Sequence, residues 1–210
     1  MKPGMTITVQ AKAAPINVYK PAVGEPSTRF TLQVTALAKG TPPPAPTILR
    51  DPNGIIIAAA YPLQSMLVRV PDRVNLVVNS KVGDVAVTDI TGNATIDAGT
   101  GNVRVMLPGY AQASTQKGRM SVTMGSTDWP GTLRFFDGDG DVEVYVNATA
   151  QFNVRMHTDD GTLFSDFPIK GTSTGNSETI DAPVNGGGPR RIDIEVRHGA
   201  IRLLQLHPEA

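Results

Sequence analysis

Between Phe135 and Val146 the chain reads FFDGDGDVEVYV, its densest run of groups able to do chemistry. Asp137, Asp139, Asp141, Glu143 and Tyr145 alternate, opposite in parity to Val142, Val144 and Val146. On a strand this spacing would set neighbouring carboxylates roughly 6.6 Å apart on one outward face. D-x-D-x-D is how an oxygen-only calcium loop begins, which makes Asp137, Asp139 and Asp141 the candidate metal ligands. The rest of that loop does not follow, because its sixth position is Val142 rather than glycine and its twelfth is Ala148 rather than glutamate. Glycines interleaved with aspartates are also ordinary turn chemistry. Paired carboxylates serve glycoside hydrolysis as well. A groove placing Asp139, Asp141 and Glu143 against a basic residue would favour that use, and a convex, solvated turn would favour a binding surface.

Other reactive groups are sparse. Trp129, the only tryptophan, stands in GSTDWPGTLRFF. An exposed indole there could stack on a sugar, with Glu143 and Tyr145 as further candidate ligand contacts; an indole just before Pro130 more often packs a corner against the core. His157, His198 and His207 lack metal-ligand spacing and read as turn histidines. Gly186-Gly187-Gly188 has no helix behind it to lend a dipole to a phosphate, so it reads as a turn. No nucleophile elbow, P-loop or H-E-x-x-H occurs, and the absence of cysteine removes thiolate chemistry. No catalytic residue and no cofactor is assigned.

The 19 basic and 19 acidic side chains cancel, which argues against nucleic-acid or anionic-membrane partners, since these call for a basic excess. The longest apolar run, Ile55 to Tyr61, stops at Pro62, far short of the roughly 18 residues that would read as a membrane span. The start, MKPGMTITVQAKAAP, carries no apolar core of signal-peptide length. The expected location is the cell envelope or outside if a leader is missing from this chain, and the cytoplasm otherwise.

What must position these residues is β-structure. Val74/Leu76/Val78, Val103/Val105/Leu107, Met120/Val122/Met124, Phe152/Val154/Met156 and Ile192/Ile194/Val196 all alternate, and no long window holds a helical period. Gly83, Gly101, Gly118, Gly140 and Gly161 each open a unit of apolar alternation, at intervals of 18, 17, 22 and 21 residues. Gly199 follows 38 later, read as two steps with Ile180/Ala182/Val184 as the skipped unit. Gly-Asn between alternating strands also suits a hairpin, so an antiparallel meander competes locally. The beat of about 20 residues favours a coil whose glycines turn the corners. In the coil, Asp or Asn beside each glycine ladders onto the next turn. Met120, Met124, Phe135, Phe152 and Phe167 fill the core, while Arg104, Arg119, Arg134, Arg155, Asp193, Glu195, Arg197 and Arg202 face outward.

Three phrases, residues 68–108, FNVRMHTDDGTLFSDFP (152–168) and VNGGGPRRIDIEVRHGAIRLLQL (184–206), resemble the bacterial putative-adhesin, β-strand-repeat family of uncharacterised function. The resemblance lies in their order: a V-x-V-P lead-in, iterated G-D/N-V-x-V units, T-x-x-G-x-L-x-S-D-F, then N-G-G-G before two closing strands. It implies an all-β, right-handed parallel β-helix (β-solenoid) with about 17–22 residues per rung over 68–206. Residues 1–67 are then irregular rungs or a cap, with TPPPAP (41–46) as an exposed polyproline loop. Six rungs from Gly83 to Gly199 would make a prism roughly 29 Å long. The function implied is a non-enzymatic envelope or surface module, structural or adhesin-like, whose flat face meets an unknown protein or glycan partner. A polysaccharide-processing enzyme on the same scaffold is the alternative. Oligomeric state stays open.

Overall fold

Alternation gives every strand one apolar face, and that face can be buried only if another sheet covers it. A computed structural model describes residues 4–21, 30–36, 45–71 and 73–206. Thr41 to Pro44 of the proline run and His207 lie outside them. Twenty strands form among these described residues. The first six are β1 (Thr6–Ala13), β2 (Ile16–Tyr19), β3 (Thr31–Thr35), β4 (Thr47–Asp51), β5 (Gly54–Pro62) and β6 (Ser65–Arg69). A regular middle follows: β7 (Asn75–Val82), β8 (Val85–Thr88), β9 (Ala94–Thr100), β10 (Val103–Leu107), β11 (Ala111–Lys117), β12 (Met120–Met124), β13 (Thr132–Asp139) and β14 (Val142–Asn147). The last are β15 (Phe152–Asp160), β16 (Leu163–Ser165), β17 (Thr172–Thr174), β18 (Ser177–Val184), β19 (Arg191–His198) and β20 (Ile201–Leu206).

Successive strands alternate between two sheets through the regular part. Val85, Val103, Met120 and Val142 lie side by side on parallel neighbours β8, β10, β12 and β14. The coil is therefore real and the meander is not. Inward ladders such as Val18–Val87–Val105–Val122–Val144–Leu203 merge with those of the other sheet into one aliphatic core. Trp129 and Phe167 flank Phe152 at one corner, with ring centroids 5.6 and 6.0 Å from it.

Glycine holds the other corner for a steric reason. Gly101 N–H donates to the Lys117 carbonyl and Gly118 N–H to the Asp139 carbonyl, so these corners sit directly on one another. A Cβ on Gly118 would lie 2.2 Å from the Gly101 carbonyl oxygen, and its φ of +151° suits glycine alone. The neighbouring polar residue ties the coils together. Asp84 Oδ1 accepts from Asn102 N–H at 2.7 Å, and Asn102 Oδ1 accepts from Arg119 N–H at 3.0 Å. These are side-chain to backbone bonds, which fix the register as well as the spacing.

At both ends the stack departs from chain order. The large sheet runs β17-β18-β15-β19-β13-β11-β9-β7-β1-β5-β4, and the smaller runs β16-β20-β14-β12-β10-β8-β2-β6-β3. The first coil, β1/β2, lies between β5/β6 and β7/β8, and the final coil, β19/β20, lies between β13/β14 and β15/β16. Gly199 is thus the direct neighbour of both Gly140 and Gly161, not a corner two steps beyond Gly161. The expected skipped unit at 180–184 belongs to β18, which runs antiparallel to β15 and closes the stack with β17. Antiparallel β4 and β3 do the same at the other end. These antiparallel strands cover the parallel edges of β15, β5 and β6, which would otherwise invite further pairing, while β16 stays the edge of the smaller sheet among the described residues. Eleven strands at about 4.8 Å spacing extend the large sheet to roughly 48 Å, longer than the expected prism.

Candidate functional site

The acidic run does not form one row. On β13 the inward positions are Leu133, Phe135 and Asp137; the corner Gly138-Asp139-Gly140 then resets parity, so that Val142, Val144 and Val146 point inward on β14. Asp137 is fully buried, which corrects its expected outward placement. Asp139 remains at the exposed corner and pairs with Lys117 at 3.3 Å. Asp141 Oδ1 accepts from Ala200 N–H at 2.9 Å. The three aspartates therefore point to three different places. Among the described residues no group of three His, Asp or Glu side chains is arranged to hold a metal ion.

Asp141 and Glu143 do meet a basic residue. Arg202 Nη1 lies 3.7 Å from Asp141 and 3.2 Å from Glu143, and the Tyr145 hydroxyl donates to Glu143 Oε2 at 3.0 Å. Burial, then the bond to Glu143, raises the Tyr145 hydroxyl above its ordinary pKa. An open depression of about 380 Å³ lies here, lined also by Arg119 and Ser121. Its carboxylates are bridged by Arg202 and held by Tyr145, so the oxygens that an acid–base pair would turn toward a glycosidic bond are already engaged. Trp129 is 2% exposed, so the sugar-stacking use does not stand and the indole packs the corner. His157 lies between the Thr179 hydroxyl (2.8 Å) and Asp159 (3.0 Å), and His198 ends β19 in an exposed position.

Buried Asp137 has a chemistry of its own. Its column across the large sheet reads Ala98, Thr115, Asp137, Val196, Thr158. The two threonines donate to carbonyls of corner glycines, Thr115 to Gly101 at 3.3 Å and Thr158 to Gly199 at 3.0 Å. Asp137 Oδ1 accepts from Asp139 N–H, while Oδ2 is buried without a hydrogen-bond partner among the described residues. Burial pushes this carboxyl up from 3.8 to about 7, with the charges of Asp139 and Asp141 adding to it and the Asp139 N–H opposing. Below the unfolded value the carboxyl is neutral in both states and carries no ionisation penalty. As pH rises toward 7 the unfolded chain ionises first, so stability falls through that window and stays lower above it. Asp137→Thr, which copies its neighbours in the column, is expected to raise the melting temperature at pH 8 and to gain progressively less toward pH 5. Thermal melts of the two proteins across that range check this, and parallel curves would contradict it.

The outer face of the large sheet holds a groove of about 340 Å³. Its residues come from five adjacent strands, β9, β11, β13, β19 and β15. Register sets Asp193 of the inserted β19 between Arg134 of β13 and Arg155 of β15. Arg191 occupies the nearby acids, with Nε 2.5 Å from Asp193 and Nη2 3.3 Å from Asp181. Arg134 and Arg155 are exposed and have no ion pair among the described residues. Phe136, half-buried with the Arg197 guanidinium 5.3 Å from its ring centre, lines the groove together with Glu195 and His157. Asp97, Asp193 and Glu195 line the same groove, but none of them is within ion-pair distance of Arg134 or Arg155, so the two guanidiniums can bind an anionic group while Phe136 offers an apolar edge beside them. Alternation in the sequence turns both arginines outward, and the insertion of β19 is what sets Asp193 between them.

Comparison with known proteins follows the fold. A solved structure described as a putative cell adhesion protein from Clostridium sporogenes is similar over 97% of this chain and 93% of its own, at 9% identity and a TM-score of 0.50. One described as a putative adhesin from Bacteroides fragilis aligns over the same shares, at 11% identity and a TM-score of 0.34, too low to bear on the fold. No curated protein matches the chain in sequence. The family model described as Toastrack DUF4097 matches residues 74–204, the span of the regular coils and the inserted one. On that match the chain belongs to the Toastrack DUF4097 family.

Proposed function

We propose that this chain is a non-enzymatic interaction module of the cell surface or envelope, which takes a protein or glycan partner on the outer face of its large sheet. The observation carrying the reading is the pair Arg134 and Arg155, free of ion pairs among the described residues and set two strands, about 10 Å, apart in the groove. Rigid strands rather than loops hold them, which limits the entropy lost on binding. The neighbour described as a putative cell adhesion protein supports the surface placement, and the bridging of Asp141 and Glu143 by Arg202 supports binding over hydrolysis.

Binding to panels of acidic and neutral glycans, and to candidate surface proteins, tests this. Arg134→Ala/Arg155→Ala is expected to weaken the captured ligand at least tenfold, while Arg104→Ala on the opposite sheet leaves it unchanged. These are exposed substitutions, so the melting temperature should move by no more than about 2 °C. A double variant that binds like the parent would sink the assignment of the groove.

A further inference from the structure

The coil that comes last in the chain occupies a place framed by earlier ones. After Asn147 the chain crosses two coil spacings, about 10 Å, to begin β15, leaving a slot between β13/β14 and β15/β16. It then lays down β16, β17 and β18 before returning through residues 185–190 to fill that slot with β19/β20. Until then the slot presents four open parallel strand edges, two in each sheet. Such edges take an added strand readily, provided that its side chains fit.

The slot is selective. Ile192, Ile194, Val196, Ile201 and Leu203 of the inserted coil are all buried between its neighbours. Its corner must be glycine, because a Cβ on Gly199 would stand 2.0 Å from the Gly140 carbonyl oxygen. An identical coil from a second copy meets every one of these requirements. It would bury the same side chains and make the same hydrogen bonds, so only the connecting loop differs between a closed chain and an exchanged pair. That loop is Asn185-Gly186-Gly187-Gly188-Pro189-Arg190, which reaches roughly 20 Å when extended. It now turns tightly, with Asn185, Gly186 and Gly187 at φ of +50°, +89° and +76°. Asn185 pins it closed by donating to the carbonyls of Ala148 and Ala150, on the very segment that crosses the slot.

We infer that β19/β20 is an exchangeable coil: two copies of the chain trade it, each filling the other's slot, with residues 185–190 extended as the hinge. The groove on the large sheet then becomes composite, Arg134 and Arg155 coming from one copy and Asp193 and Glu195 from the other. The exchange does not depend on what that groove binds.

The chain has no cysteine, which makes a disulfide trap clean. Tyr145 and Leu204 are register partners on β14 and β20, at a spacing that a disulfide can bridge. Full-length Tyr145→Cys and Leu204→Cys proteins would be mixed, unfolded together in urea, refolded under reduction and then oxidised. The chain carrying both cysteines serves as the intrachain control. A bridged two-chain species is expected, its share rising with protein concentration and severalfold higher when both carry Asn185→Ala. The unmodified chain refolded at high concentration should likewise yield a dimer by light scattering. A chain that stays monomeric at every concentration overturns the inference, as does a dimer in which the mixed bridge never forms.

Discussion

Gly118→Ala is expected to cost the fold on the order of 4 kcal/mol or more, a range reached only when backbone or core geometry is broken. Two effects add. The φ of +151° is strained for any residue with a Cβ, which alone costs about 1–3 kcal/mol. The new methyl would also sit 2.2 Å from the Gly101 carbonyl oxygen and 2.6 Å from its carbon, and both are backbone atoms of a coil tied on either side. No side chain can rotate away to relieve the clash, so the stack must separate locally and give up hydrogen bonds. For a chain of this length the melting temperature should fall by roughly 8–16 °C. Gly131→Ala is the control: it has a positive φ of +69° but nothing within 4 Å of the added carbon, so only the smaller conformational cost applies. Thermal melts of both variants check the prediction. Equal losses would mean that close stacking of the corners is not what demands glycine.

Ending the chain before β19/β20, at Val184, is expected to abolish cooperative folding rather than shorten the protein by one coil. In an ordinary solenoid the last repeat touches one neighbour, and its loss costs one interface. Here the last coil touches two, through β13 and β15 in one sheet and β14 and β16 in the other. Five of its side chains are fully buried. At about 1.5–3 kcal/mol each, their burial alone is comparable with the 5–15 kcal/mol total stability of a typical domain. Removing them also bares the faces of both neighbours. Far-ultraviolet circular dichroism and a dye that reports exposed apolar surface should show a collapsed or aggregated chain with no sharp transition. The contrasting change is Thr172→Ala/Thr174→Ala on β17, an edge strand with fully exposed residues, which should leave the melt nearly unchanged. A truncated protein that melts as sharply as the parent would contradict the account.

Much of the fold was legible because its decisive signals are local. Val85/Val87 and Val103/Val105 declare strand parity within three residues, and glycine at the corners from Gly83 onward answers a clash with the backbone of the adjoining coil, whereas the first two corners carry Ala14-Pro15 and Leu63-Gln64. The Asp or Asn beside it, as at Asp84 and Asn102, satisfies a backbone donor one coil away for the same reason. The candidate site was less legible. Asp137 looked outward because strict alternation was carried across Gly138 and Gly140, and a corner between two sheets does not preserve parity. The corner-packing use of Trp129 is legible from Pro130 beside it, but its ring partner Phe152, and Phe167 beyond that, lie far along the chain.

Sequence patterning settles that the chain is all-β, that its strands coil with a beat near 20 residues, and which side of most regular strands meets the core, the end of β13 at Asp137 excepted. All of this follows from side-chain alternation and from sterics between turns of one kind. Tertiary structure alone decided the order of the end coils. Every coil offers the same ladder of backbone groups and aliphatic side chains, so strand pairing cannot distinguish β19 from β15 as the neighbour of β13. The choice rests on how loops, the antiparallel β18 and buried shapes fit together across the whole molecule. That same choice put Asp193 and Glu195 between Arg134 and Arg155, and so built the groove.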